Sequence, residues 1–567
     1  MSDKTSGNHE MDTSERLPPG TVRLIDTDGH IISKHAEGEG QADIILVPRP
    51  SEDPEDPLNW TFRRKILSTS CVVVYTIMVA IPASAVYSIV TPIRADTSLT
   101  LTDINNGTGI MVGSIFLFYG WGCIFWQAIA LQYGKRPVYL FSCLANIVIL
   151  ATAPLCTTSG TYTANRIILG FFGSPVESLC EISVVDVWFA HERPKYLAWY
   201  GWSLALTGKL APMLAGFINY GMDWQWTLWW WAIFIGIAFV YLFFLMEETN
   251  YDRKLQDHAP ATQTPLENTT RTVSSETSGV GLAGAHDADS KTPASVGSPS
   301  EDRETGEVAW PRKSYWDKLG IKDEKRPNRL LNIMWAPIKG FTYPAVVYAG
   351  LMYGANSLVW QGVQNATIGT VYTTQYGFNT ATVAAAYSGG VLGSIMGGYY
   401  CGKVGRLLTV RLARRNAGIS EPEHVLYLFS ASIILVPFAL ILYGLAVTYH
   451  LHWFALVITQ TAVAANGTLC VSAALGYAMA SYPELAGQMV TTCVLIRNTL
   501  SFAINYGITP WLQASGYLRV YCIVGGIGLV WNASLFVMTR YGRRLRVATA
   551  ARYYRDVDYA RAKGLSH

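Results

Sequence analysis

The sequence predicts an all-α membrane protein with twelve transmembrane helices in two six-helix halves. The 567 residues are 50% hydrophobic and only 15% charged, whereas soluble domains carry roughly 25% charged residues. Apolar windows of roughly 20 residues, the length that crosses the hydrocarbon core of a bilayer, recur about twelve times. A long polar stretch follows the sixth window, which divides the windows into two groups of six.

Each window is a candidate membrane span, numbered here in chain order. The first six lie at 66–90, 107–130, 137–157, 162–187, 196–219 and 225–246. The second six lie at 343–366, 380–402, 425–447, 452–479, 486–511 and 517–539. The polar stretch is rich in Thr, Ser, Gly and Pro, a composition typical of flexible linkers. The predicted regions are a hydrophilic N-terminal segment 1–65, an N-terminal half 66–246, a linker 247–342, a C-terminal half 343–539 and a basic tail 540–567.

Lys and Arg residues cluster in alternate loops, a pattern that marks the cytoplasmic side of membrane proteins. Both termini and the linker are therefore predicted to be cytoplasmic. The residues that set this orientation are Arg63, Arg64, Lys65, Lys135, Arg136, Arg193, Lys195, Lys403, Arg406, Arg411, Arg414, Arg415, Arg540, Arg543, Arg544 and Arg546.

The two halves repeat a short basic loop. Gly134, Lys135 and Arg136 follow the second span, and Gly402, Lys403 and Arg406 follow the eighth, six spans later. Parallel six-span halves with a site between them are typical of secondary transporters that rock one half against the other. We therefore expect both loops to act in gating.

Two carboxylates interrupt the fourth apolar window. Glu177 and Glu181 are four residues apart and share one helix face. Arg166 precedes Glu177 by 11 residues, which at ~100° per residue returns to within ~20° of the same azimuth, so all three share one stripe. Charges at this depth are costly and are functional candidates by default. These three residues predict a polar path through span 4.

Several stretches resemble the major facilitator superfamily, specifically its fungal drug:proton antiporter-type carriers with twelve spans. The similarity covers about residues 53 to 545. It is carried by Asp56-Pro57-Leu58-Asn59-Trp60 with Arg64-Lys65, by Arg414-Arg415-Asn416-Ala417-Gly418 with Pro422-Glu423-His424, and by Arg497-Asn498. The resemblance implies the major facilitator fold and a transport function without an enzymatic reaction.

Three family motifs match in part. Gly134, Lys135 and Arg136 fit the loop after span 2, but Leu131 and Gln132 stand where the family has an acid and an Arg, and Asp186 is the alternative partner of Lys135 or Arg136. Arg166 fits the span-4 position linked to proton coupling, or it reaches to the outer interface instead. The span-5 antiporter motif is matched by Gly208, Pro212 and Gly216, whereas Ala211 departs from it; the matched residues predict close packing and a bend.

The depths of the buried charges suggest how they pair. Glu177 lies ~15 Å from the inner end of span 4, and Lys209 lies ~20 Å from the inner end of span 5. Glu181 lies only ~9 Å from the inner end of span 4. A Glu177–Lys209 pair would leave Glu181 free to bind a proton or a cationic substrate, and Arg497 adds a charge from span 11. The alternative is a static ion-pair network that holds spans 4 and 5 together.

Polar and aromatic residues of spans 1, 7 and 10 are candidates for the lining of the central pathway. In carriers of the family, spans 1, 4, 7 and 10 line this pathway. The candidate residues are Ser84, Tyr87, Asn356, Trp360, Gln361, Asn365, Gln460 and Asn466. Ordinary interhelical hydrogen bonding is the alternative for each of them.

These observations predict a proton-coupled transporter that exports small organic molecules, among them drugs, toxins or secondary metabolites, including cations. Import of a polyamine or another nutrient cation is the alternative, and a membrane enzyme is a weaker one. No phosphate-binding loop or clustered metal ligands occur in the sequence, so neither cofactor nor metal is expected. The net charge of +3 does not suggest nucleic-acid binding. We expect a monomer in the plasma membrane or, alternatively, the vacuolar membrane, with the bilayer, protons and a small substrate as partners.

Overall fold

The computed structural model is a bundle of long helices. It describes residues 18–23, 53, 55–100, 104, 114–189, 192–251, 319–320, 328–416 and 419–562. Within these residues the helices form twelve spans joined by short connections. The predicted all-α class is confirmed; in addition, Val22–Arg23 pairs antiparallel with Ile419–Ser420 in a minimal two-stranded sheet.

The first half contains spans 1 to 6, and two of them continue into short 3-10 turns, Val86–Ser88 and Ala153–Leu155. The helices are Phe62–Ala85, Ser114–Tyr133, Lys135–Thr152, Ser159–Gly173 followed by Pro175–Val187, Arg193–Gly221 and Trp224–Leu245.

The second half contains spans 7 to 12, most of them built from more than one helical segment. Spans 7 and 8 are Pro344–Gly354, Ala355–Val359 and Trp360–Tyr376, then Thr380–Ala386, Ser388–Tyr399 and Tyr400–Gly405. Spans 9 to 12 are Glu423–Leu426 with Ser430–Thr448, Phe454–Ser481, Ala486–Ser515, and Tyr517–Ala533 with Leu535–Ala562.

Eight helices in the described part of the chain are long and apolar enough to cross a membrane. The remaining four spans are 5, 7, 8 and 11. Spans 5, 7 and 11 carry buried polar or charged residues, such as Lys209, Asn356 and Arg497, and span 8 is glycine-rich and divided into short segments. The least apolar spans therefore hold much of the polar interior.

The chain also forms structure at both ends of the predicted 247–342 linker. Glu247 pairs with Arg64 at the start of span 1, with Arg64 Nε 2.9 Å from Oε2. Near the other end, Leu330–Lys339 is a helix that contacts spans 2 and 11. Residues 252–318 of the predicted linker lie outside the described residues.

The largest contacts between the halves are those of span 2 with span 11 and of span 5 with spans 8 and 10. The predicted packing residues of span 5 differ in role. A Cβ on Gly216 would lie 2.6 Å from the Cβ of Ala384 in span 8, whereas one on Gly208 would meet nothing within 4 Å. The helix continues through Pro212. Of these two glycines, Gly216 is therefore the one that allows span 5 to approach span 8 closely.

Gly216→Ala should lower the thermal unfolding temperature of the purified protein, because the added methyl group overpacks the span 5–span 8 contact at a cost of about 1–3 kcal/mol. Gly208→Ala is the matched control on the same helix. It should leave the temperature unchanged or raise it, since Ala favours helix over Gly by roughly 0.5–1 kcal/mol. Equal destabilisation by both substitutions would contradict this packing.

Candidate functional site

A bidentate ion pair joins the two halves inside the bundle. Arg497 of span 11 places Nη1 2.6 Å from Glu177 Oε2 and Nη2 2.9 Å from Oε1. Both side chains are about 5% exposed. Paired, parallel hydrogen bonds of this kind are among the strongest that charged side chains form. The pair is the polar centre of the interface between the halves.

A break in span 4 positions the carboxylate. Span 4 is interrupted at Ser174, and a second helical segment begins at Pro175, a position where proline is tolerated because its missing N–H would have no helical partner. Glu177 therefore lies in the first turn of a helix, where the helix dipole stabilises negative charge. Tyr200 of span 5 donates its hydroxyl to the Val176 carbonyl at 2.8 Å and fixes this turn.

Arg497 has a second partner, in its own half. Its Nη1 donates to the Tyr353 hydroxyl at 2.7 Å, and its guanidinium lies 4.7 Å from the centre of the Tyr353 ring. Tyr353 precedes the π-helical turn Ala355–Val359 in span 7. Sequence reasoning missed Tyr353 and Tyr200, because an isolated tyrosine in an apolar span has no pattern that distinguishes it from core tyrosines.

The predicted Glu177–Lys209 pair is wrong. Glu177 is bound by Arg497, and Lys209 Nζ donates to no described residue. The hydrogen bond from Tyr200 places that residue level with Glu177, so Lys209, nine residues further along span 5, lies ~13 Å away along the axis. The error came from placing the inner ends of spans 4 and 5 at one level. The Lys209 stem lies against Gly390 of span 8 instead.

Glu181 is buried one turn beyond Glu177, 3% exposed. Its Oε2 accepts no hydrogen bond from any described residue. A buried carboxylate oxygen without a donor is costly when it is charged. This geometry is compatible with the prediction that Glu181 binds a proton or a cationic group.

Arg166 is completely buried, so it does not reach to an interface. None of its guanidinium nitrogens donates to a described residue, and the group lies 5.0 Å from the centre of the Tyr162 ring. The interruption at Ser174 lies between Arg166 and the two glutamates, and the common stripe of the three charges stays a prediction. Arg166 is therefore a buried cation, and its role in proton coupling stays a prediction.

The basic loop after span 2 forms a charged cluster. Lys135 pairs with Asp186 of span 4, which confirms one of the two pairings considered for Asp186. Arg136 donates to the Phe243 carbonyl at 2.7 Å and to the Leu319 carbonyl. Gly134 adopts a φ of 114°, which favours glycine. The loop is therefore held to spans 4 and 6 and to the chain after the first half.

Glu248 supplies an acid that sequence reasoning missed. Its carboxylate accepts the backbone N–H groups of Lys135 and Arg136, each at 3.0 Å, at the start of span 3. Burial raises the pKa of Glu248, and these N–H donors act against that rise. Because Glu248 is 112 residues or more from its partners, its position next to the family loop could only be inferred from the fold.

The corresponding loop of the second half is built differently. Lys403 donates to the Tyr399 hydroxyl at 2.9 Å, four residues away. Gly402 meets nothing within 4 Å at its Cβ position, and the side chain of Arg406 lies outside the described part. A buried pair between Glu423 of span 9 and Arg546 of span 12 lies in the same half, with nitrogen–oxygen distances of 2.9 and 2.6 Å.

The predicted lining residues of spans 7 and 10 are partly brought together. Asn466 Nδ2 donates to Asn356 Oδ1 at 3.1 Å, and the Gln361 amide lies beside Gly467. Asn365 Oδ1 and Gln460 Oε1 are buried and accept no hydrogen bond from a described residue. These residues form a polar seam between spans 7 and 10.

Three other predicted lining residues lie elsewhere. Trp360 packs in an apolar cluster with residues of spans 9 and 12, close to Gly528, and its role in lining the pathway stays a prediction. Ser84 and Tyr87 are buried at the end of span 1, and the Tyr87 carbonyl lies 3.3 Å from the Cβ position of Gly369 in span 7. Tyr87 therefore marks a contact between the halves.

Comparison with known proteins agrees with this architecture. The sequence model described as "Major Facilitator Superfamily" matches residues 69–504. The chain belongs to this superfamily. The predicted resemblance and fold are thereby confirmed, and the chain is a multi-pass membrane transporter of the major facilitator type.

Fungal members of the superfamily are similar along most of their length. The MFS-type transporter C1271.10c of Schizosaccharomyces pombe is 25% identical over 94% of each chain. Protein HOL1 of Saccharomyces cerevisiae is 23% identical over 95% of this chain and 97% of its own, and the MFS-type transporter penM of Penicillium rubens is 23% identical over 88% of each. The solved proton:xylose symporter XylE covers 85% of this chain and 97% of its own at a TM-score of 0.53 and 10% identity, which supports the fold alone.

Arg497→Met should destabilise the purified protein strongly at pH 8, because it leaves Glu177 buried without its cation, a loss of about 3–5 kcal/mol. The double variant Glu177→Gln/Arg497→Met should recover much of this loss, since no unpaired charge remains. Thermal unfolding measures both. Arg544→Gln, an exposed position on span 12, is the neutral control. If Arg497→Met alone is as stable as the wild type, the ion pair does not contribute as described.

Proposed function

We propose that this protein is a proton-coupled secondary transporter that exports small organic molecules, cations among them, by alternating access. The main observation behind this proposal is the ion pair between Glu177 and Arg497, because it joins the two halves in the buried interior. Glu181, with an unpartnered carboxylate oxygen, lies one turn away.

Rocking the halves apart at this level separates Glu177 from Arg497. Separation of two buried charges in a medium of low dielectric is costly. Protonation of Glu177 lowers that cost, since a neutral carboxyl group can leave the guanidinium without carrying charge into the interior. The proton is therefore the ligand that releases the halves from one another.

Glu181 has a separate part in this scheme. While Glu177 is paired with Arg497, Glu181, whose Oε2 accepts no hydrogen bond from a described residue, is the carboxylate that is available to a cationic cargo or to a second proton. Competition between these two ligands for one group would couple their movement in opposite directions. The static network predicted as the alternative would give no such competition.

The direction and the sidedness rest on other features. The positive-inside pattern supports a cytoplasmic position for the loops with Lys135, Lys195 and Lys403. The proposed location is the plasma membrane or the vacuolar membrane. The match of Gly208, Pro212 and Gly216 to the antiporter motif favours export, although Ala211 departs from it. Import of a polyamine is the competing outcome.

Transport assays in yeast cells that express the full chain test the proposed function. Labelled tetraphenylphosphonium and labelled spermidine serve as probes, each with and without an uncoupler of the proton gradient. Gradient-dependent extrusion of either probe supports export, and gradient-dependent accumulation of spermidine supports import instead. If neither flux depends on both the protein and the gradient, proton-coupled transport of organic cations is rejected.

Glu177→Gln and Glu181→Gln should each reduce gradient-driven transport of the responsive probe at least tenfold, because each removes a group that exchanges a proton. Glu192→Gln, in the loop before span 5, is the matched control, because it makes the same chemical change outside the helix bundle. It should transport normally. Retained pH-dependent transport in both span-4 variants, with normal folding by gel filtration, would contradict the coupling role.

A further inference from the structure

Arg497 keeps one of its two partners when the halves separate. Glu177 lies in span 4 of the first half, but Tyr353 lies in span 7 of the same half as Arg497. The Tyr353 hydroxyl accepts a hydrogen bond from Nη1 at 2.7 Å, and the guanidinium carbon lies 4.7 Å from the ring centre. Of these two contacts of Arg497, the ion pair with Glu177 is the one that crosses the interface between the halves.

The guanidinium cannot respond to separation by losing its charge, because arginine stays protonated in proteins. A buried guanidinium without an acceptor carries a large desolvation penalty. In the separated state, Tyr353 offers both a hydroxyl oxygen and the negative face of its ring. Arg497 Nε already lacks a partner among the described residues, so each acceptor on the remaining nitrogens matters more.

We propose that Tyr353 is a positioning residue that holds the Arg497 guanidinium after Glu177 has been protonated and has left. It sets the proton concentration at which the halves separate. This inference rests on the proposed function, since it assumes that protonation of Glu177 releases the ion pair. Loss of the hydroxyl should therefore destabilise the separated state more than the paired state, in which Glu177 still binds Arg497 at both nitrogens.

Other titratable and charged groups surround Glu177, and the test leaves them unchanged. Glu181 and Cys180 lie on the same helix, Tyr200 donates to the Glu177 carbonyl at 3.3 Å from span 5, and Arg497 and Tyr353 face it from the second half. From span 2, Tyr119 and Cys123 interact electrostatically with its carboxylate. Tyr353 is distinguished from this set by its direct contact with Arg497.

The test follows the separation of the halves as a function of pH without any cargo. Spin labels on unnatural amino acids replace Lys195, at the start of span 5, and Arg415, after span 8; both side chains are exposed and lie in different halves. Double electron–electron resonance on the full chain in nanodiscs then gives the separated fraction from pH 4 to pH 9. In the otherwise wild-type chain we expect this fraction to rise as pH falls.

Tyr353→Phe keeps the ring and removes the hydroxyl. A roughly tenfold loss in the equilibrium for separation is expected, which moves the midpoint to lower pH by about one unit. Tyr348→Phe, one and a half turns earlier in the same span and with its hydroxyl next to Ser534, should leave the midpoint unchanged. Tyr353→Gln restores an acceptor and should return the midpoint toward that of the wild type, which a purely structural role would not produce.

Two results separate the failure of this inference from that of the proposed function. If Tyr353→Phe has the wild-type midpoint while Glu177→Gln abolishes the pH dependence, the role of Tyr353 is rejected and proton release of the ion pair stands. If the separated fraction of Glu177→Gln still follows pH as in the wild type, proton release itself is rejected. Should Tyr353→Phe unfold, Tyr353→Gln decides: a midpoint at least one unit below that of the wild type would overturn the inference.

Discussion

A buried charge in a bilayer-spanning bundle is costly unless an opposite charge lies beside it, and the interface between the two halves reflects how two such charges meet this constraint. Glu177 and Arg497 solve it across the interface between two six-span halves. Among the described residues, neither Glu177 nor Arg497 has an oppositely charged partner within its own half. The two halves therefore carry complementary charges at this level, and under the proposed function their association depends on the protonation of Glu177.

Local irregularities in the helices make this arrangement possible. The break before Pro175 turns the middle of a span into a helix start, which favours a carboxylate at Glu177. The π-helical turn Ala355–Val359 follows directly on the part of span 7 that carries Tyr353. Irregular backbone inside a membrane protein is tolerated where it is enclosed by other helices. Here both irregularities lie beside the same ion pair.

The fold was largely predictable from sequence. The length of the apolar windows, the polar stretch between the two groups of six and the basic loops can each be read from neighbouring residues alone. The candidate site was predictable in its members but not in its contacts. Glu177, Glu181 and Arg497 stood out as charges in apolar windows, yet the partner of Glu177 was chosen by depth along helices whose relative offset the sequence does not contain. Tyr353, Tyr200 and Glu248 were missed, since each acts through a contact with a residue far away in the chain.

The N-terminal residues Pro18–Arg23 associate with the second half rather than with the first, which follows them in the chain. Arg546 donates to the Pro19 carbonyl, Gly20 packs on the end of span 10, and Val22–Arg23 pairs with Ile419–Ser420. The order of the polypeptide and the order of assembly therefore differ. During synthesis this segment leaves the ribosome before either half, but the surface that receives it is complete only when span 12 has been made, so its docking follows the synthesis of both halves.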